Sequence, residues 1–155
     1  MKKLKTIMVD SLIGNDYSTC LCESIFEQGV EVHMIVPQNR DFPKKVNFDV
    51  VFLSPSKEKN IGKIHKIWGF IKYIFLLRRY IKVLKCDLVH YQFFRRKVEI
   101  LFFKYLKLIG VKLIVTAHNV LPHEKSKMDY FLKSIVYKNA DAIIVHSNYI
   151  KNKLL

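Results

Sequence analysis

Three short runs in the second half of the chain climb through apolar residues and stop on histidine: Asp87-Leu-Val-His-Tyr-Gln92, Lys112-Leu-Ile-Val-Thr-Ala-His-Asn119 and Ala140-Asp-Ala-Ile-Ile-Val-His-Ser-Asn148. A run that is apolar on successive residues has no face to offer water, so it reads as a strand covered on both sides, the mark of parallel sheet. Polar groups at the carboxyl ends of such strands lie where open α/β sheets bind their ligands. His90 with Gln92, His118 with Asn119, and His146 with Ser147 therefore mark a site.

The rest of the chain alternates in the same way. Leu4 to Val9 reads as a first strand, followed by the loop Asp10 to Asp16 and a helix from about Tyr17 to Gln28 that Gly29 stops. Strands follow at Val30 to Val36 and Asn47 to Leu53, and the turn residues Ser54 to Asn60 precede a long helix over Ile61 to Leu84. After the strand Asp87 to Tyr91 comes a helix over Arg96 to Ile109, stopped by Gly110, then a strand through Ala117, a helix over Lys127 to Lys138, the strand Ala142 to Val145, and a last helix from near Ser147. Strands that alternate with helices pair in parallel through right-handed crossovers. The expectation is a single α/β domain over residues 1–155, a Rossmann-like three-layer sandwich with a parallel sheet.

Half of the 155 residues are hydrophobic and glycine and proline are sparse, which excludes a disordered or low-complexity chain. Cys20, Cys22 and Cys86 are odd in number, follow no secretory leader and lack paired C-x-x-C spacing, so they read as reduced thiols and not as metal ligands. The net charge of +14 is unevenly placed: residues 1–58 carry −1, residues 59–112 carry +12 and residues 113–155 carry +3.

The order and spacing of Asp87-Leu-Val-His90, Thr116-Ala-His-Asn119 with Pro122 and His123, and Asn139 to Ser147 leading into Asn148-Tyr-Ile-Lys resemble the amino-terminal domain of the family-4 glycosyltransferases. The resemblance implies one half of a two-domain GT-B fold, the acceptor side. It implies transfer of a sugar from a nucleotide-sugar donor to a glycan or lipid-linked acceptor in bacterial cell-surface polysaccharide synthesis, with retention of configuration, no cofactor and no essential metal. In that family the carboxyl-terminal domain binds the sugar nucleotide through two glutamates on a helix. This chain has no segment for that domain, so it is expected to be a fragment, a shortened gene or one subunit of a two-chain enzyme, inactive alone.

The resemblance also distributes roles. His118 lies where the family places a histidine beside the transferred sugar, and a neutral imidazole there can bond a hydroxyl or relay a proton, its ordinary pKa being near neutrality. His90, Gln92, Asn119 and Ser147 are substrate-binding candidates, although His90 and His146 read more readily as buried histidines with a backbone partner, and Ser147 or Asn148 can as easily cap the following helix. The loop after the first strand is often glycine-rich in the family, yet here it keeps only Gly14, with Asn15 and Asp16; these either face an anionic group with the amides of the following helix or form an ordinary turn and cap. Neither G-x-G-x-x-G nor a P-loop is present.

The helix over 61–84 carries more apolar surface than one core-facing stripe needs, yet Lys72 and Arg78 interrupt it well short of the ~18 residues that a membrane span requires. Lys66, Trp68, Lys72, Arg78, Arg79 and Lys82 suit the plane of an anionic membrane, and equally the solvated basic edge of a core helix. Nucleic acid has no recognisable module here. The expected location is cytoplasmic, peripheral at the inner face of the cell membrane. The rival expectation is a noncatalytic Rossmann-like module that docks on membrane or on a catalytic partner subunit.

Overall fold

The computed structural model describes residues 3–10, 16–38, 45–54, 62–92, 99–117 and 134–154. The chain divides into two compact units, Met1–Asp87 and Leu88–Leu155. The first holds β1 (Lys5–Val9), α1 (Asp16–Glu27), β2 (Glu31–Pro37), β3 (Asp49–Ser54) and α2 (Lys63–Leu84). The second holds β4 (Leu88–Tyr91), α3 (Glu99–Leu108), β5 (Lys112–Ala117), α4 (described over residues 134–139), β6 (Ala142–Val145) and α5 (Asn148–Leu154). Each element falls within a few residues of its expected place as far as it is described; the first part of the helix expected over 127–138 lies outside the described residues.

In the first unit β1, β2 and β3 pair in parallel in the order β3-β2-β1, with Ile7 opposite His33 and His33 opposite Asp49. Every residue of β2 from Val32 to Pro37 is buried, so both faces of the strand are covered. Alternation sorts them. Val32, Met34 and Val36 point into a core cluster with Met8, Cys22 and Phe48, against which Leu21, Ile25 and Phe26 of α1 pack. His33 points the other way, and Tyr80 of α2 meets it there. The unit is therefore helix, sheet, helix, the layering expected.

Helix α2 buries Phe70, Tyr73, Leu77 and Ile81, spaced by three and four residues along one stripe. Complete burial of Leu77 and Ile81 is worth roughly 1.5–3 kcal/mol each. Its carboxyl end closes on Lys85, which takes a left-handed φ of 53° while its N–H donates to the carbonyls of Ile81 and Lys82. Helices α1 and α3 close instead on Gly29 and Gly110, at φ of 82° and 75°, where the absence of a Cβ makes that conformation free of strain.

In the second unit β4, β5 and β6 are parallel in the order β4-β5-β6, with His90 opposite Ile114 and Ile114 opposite Ala142. On one face Tyr91 meets Phe103 of α3 edge to face, with ring centres 4.7 Å apart. His90, on alternation, points to the other. Asp141 joins β5 to β6 at their starts: its N–H donates to the Leu113 carbonyl at 2.7 Å, and its carboxylate accepts from Leu113 N–H and Lys112 Nζ, both at 2.9 Å. The three cysteines are free, with Cys20 exposed and Cys22 and Cys86 buried.

Candidate functional site

The carboxyl ends of β4 and β5 carry a buried polar line. His90 and Gln92 are two residues apart and share a face, and the pairing of Tyr91 with Val115 places Thr116 opposite Gln92 on that same face. Thr116 Oγ1 stands 2.8 Å from His90 Nε2, and Gln92 Nε2 lies 3.5 Å from the same nitrogen. Both contacts thus converge on one ring nitrogen of His90. His90 is 3% exposed, Thr116 3% and Gln92 0%, in a region where an unmade hydrogen bond is costly. The structure thus brings His90 and Gln92 together as expected. It adds Thr116, whose signal was available in the sequence: a hydroxyl inside an otherwise apolar strand, in step with the strand-end polar residue.

The remaining candidates separate. His118, Asn119, Gly14 and Asn15 lie outside the described residues. His146 and Ser147 are exposed beyond β6, and the Ser147 hydroxyl accepts from Ile150 N–H at 3.2 Å, capping α5. Asp16 is exposed at the first turn of α1, where a carboxylate faces the positive end of the helix. The first unit contributes one residue that sequence reasoning took only as the start of a loop. Asp10 is fully buried at the carboxyl end of β1, with its N–H donating to the Ile35 carbonyl at 3.0 Å, and Ser18 of α1 is buried as well.

His33, which carried no pattern in the sequence, is the centre of a second polar group. It lies toward the amino ends of the strands, on the edge opposite the one where such sheets bind ligands. Glu31 Oε1 stands 3.1 Å from Nε2 and Tyr80 Oη 2.9 Å from Nδ1, with Asp49 Oδ2 3.3 Å from Nδ1 and Lys5 Nζ 3.0 Å from Glu31. The contacts with His33 and Lys5 hold the Glu31 carboxyl below its ordinary range, while burial, with the charges of Asp49, Glu31 and Cys86, pushes the Tyr80 phenol up. This group ties α2 to β2.

Of the basic candidates, Lys72, Arg78, Arg79 and Lys82 are exposed on α2 together with Trp68, and Lys66 lies on the same helix. Among the described residues no helix is long and apolar enough to cross a membrane, and no group of three histidine, cysteine or acidic residues could hold a metal ion.

The sequence model of the family described as Glycosyltransferase Family 4 matches residues 17–155. Among solved structures, sucrose-phosphate synthase from Thermosynechococcus elongatus superposes with a TM-score of 0.72 at 14% identity, over 98% of this chain and 44% of that one. The MurG of Acinetobacter baumannii gives a TM-score of 0.60 at 14% identity, over 93% of this chain and 41% of that one. The chain thus spans less than half the length of either. No curated protein matches it at a significant level. These likenesses show the fold, a Rossmann-like α/β domain that is one half of a GT-B architecture.

Proposed function

The chain belongs to glycosyltransferase family 4, and from that membership we propose that it is the amino-terminal, acceptor-binding half of a GT-B enzyme that transfers a sugar from a nucleotide-sugar donor. The acceptor is a glycan or lipid-linked glycan of the cell surface, met at the inner face of the membrane. Transfer proceeds with retention and without an essential metal, and the donor is bound mainly by a carboxyl-terminal domain, joined in one longer chain or supplied as a separate subunit.

The observation that carries this reading is the buried line of His90, Thr116 and Gln92 at the carboxyl ends of β4 and β5. That line, bonded within itself and closed to water, fixes the carboxyl ends of β4 and β5 at the edge where open α/β sheets bind their ligands. His118, one residue beyond the described part of β5, is the residue proposed to bond the transferring sugar or relay its proton.

The test is nucleotide release with acceptor present. The 155-residue chain alone should release none from a panel of nucleotide sugars, and supplying the donor-binding domain by fusion or as a second chain should restore release. Clear turnover by the chain alone would overturn the half-enzyme reading.

A further inference from the structure

The side of α2 that faces away from the core is not a solvated polar face. Ile64, Ile67, Trp68, Ile71 and Phe75 follow one another at helical spacing, and at 70%, 60%, 67%, 47% and 63% exposure they form a continuous apolar ladder over the first half of the helix. At 100° per residue the same line continues into Arg78, Arg79 and Lys82, all exposed. The buried stripe of Tyr73, Leu77 and Ile81 lies on the opposite side of the cylinder. One helix therefore has a core face and, back to back with it, a face that is apolar for three turns and cationic thereafter.

We propose that this outer face is a membrane anchor that docks at a tilt, with the amino-terminal half of α2 sunk among the acyl chains and its carboxyl-terminal half lying on anionic headgroups. The inference rests on the membrane reading above and names the surface that performs it. Large aliphatic and aromatic side chains in an unbroken line resist water, and a tryptophan among them suits the boundary between headgroup and acyl chain. Charge chooses the occupant. The ladder runs into arginine and lysine, and α2 carries six basic side chains and no acidic one, so the surface fits a sheet of negative charge that covers apolar material.

Trp68 is the only tryptophan in the chain, so its emission reports this one position. The experiment titrates the protein with vesicles of phosphatidylcholine alone or with 30 mole per cent phosphatidylserine, an amount taken as roughly that of an anionic cytoplasmic leaflet. Flotation follows binding, while Trp68 emission and its quenching by brominated acyl chains follow insertion. Anionic vesicles should shift the emission to the blue, brominated chains should quench it, and rising salt should weaken the binding. Ile67→Glu with Phe75→Glu, both at exposed positions, should abolish the blue shift while leaving the thermal midpoint unchanged. Arg78→Glu with Arg79→Glu should lower partitioning by about tenfold or more.

Flotation with anionic vesicles while Trp68 stays in water would overturn this surface and leave the membrane reading intact. Absence of binding to any vesicle would overturn both. A blue shift that grows with protein concentration in the absence of lipid would show a second copy seated on the ladder, and would equally overturn the proposal.

Discussion

Thr116 Oγ1 lies 2.8 Å from His90 Nε2 across neighbouring strands, with both residues all but removed from water. Thr116→Val keeps the branched shape and takes away its hydroxyl, one partner of a buried ring nitrogen. It should destabilise the fold by roughly 1–3 kcal/mol, measured by urea denaturation. Thr116→Ser keeps the hydroxyl and should lose less. If valine and threonine give the same midpoint and slope, the contact does not hold the imidazole.

A different readout applies to His118. In an enzyme completed with its donor-binding domain, His118→Ala should lower kcat/KM by about a hundredfold or more, the range of a positioned proton-transfer group, with the thermal midpoint unchanged. His90→Ala should show the reverse balance, a smaller loss of kcat/KM and a lower midpoint, because its nitrogen is already engaged inside the sheet. A His118→Ala enzyme with wild-type kinetics would remove His118 from the chemistry.

Lys85 gives a prediction about the chain's own architecture. It holds a φ of 53° at the end of α2, a conformation that costs a residue with a Cβ roughly 1 kcal/mol and glycine nearly nothing. Lys85→Gly should therefore raise stability by about 0.5–1 kcal/mol, while Lys85→Val should lower it. Thermal melts of the two variants decide it, and a glycine variant no more stable than the parent would show that the Lys85 side chain compensates for its backbone.

What could be read in the sequence follows from which interactions are local. The strand ends of β4, β5 and β6 are local patterns, as are the glycine stops at Gly29 and Gly110, and all fall where expected. Trp68 and the arginines of α2 could be seen as a surface, but a helix apolar around most of its circumference does not reveal which residues the sheet takes. Only the burial of Tyr73, Leu77 and Ile81 leaves Ile64, Ile67 and Phe75 outside. The groups around His33 and His90 are cross-strand and depend on register, so Tyr80, 47 residues from His33, and Thr116, 26 from His90, join their partners only in the fold. Lys85 escaped for another reason, since its φ is set by where the helix must stop.

Acid stability should report on Asp141, which fastens the starts of β5 and β6. The Leu113 N–H bond and then Lys112 hold its carboxyl below the ordinary range near pH 4, so the folded state favours the ionised form. For a carboxyl depressed in this way, the stabilisation is complete above its unfolded pKa and is lost as pH falls through the folded one. Urea midpoints should accordingly drop from pH 6 toward pH 3, and Asp141→Asn should drop less steeply from a lower starting value at pH 6. Some slope should survive in the variant, because Glu31 is depressed with the same sign by His33 and Lys5. Asp141 is partly exposed, so added salt should shrink the portion due to Lys112 and leave that due to the Leu113 N–H. Parallel curves for parent and Asp141→Asn between pH 6 and pH 3 would show that this carboxylate contributes nothing to the acid limb.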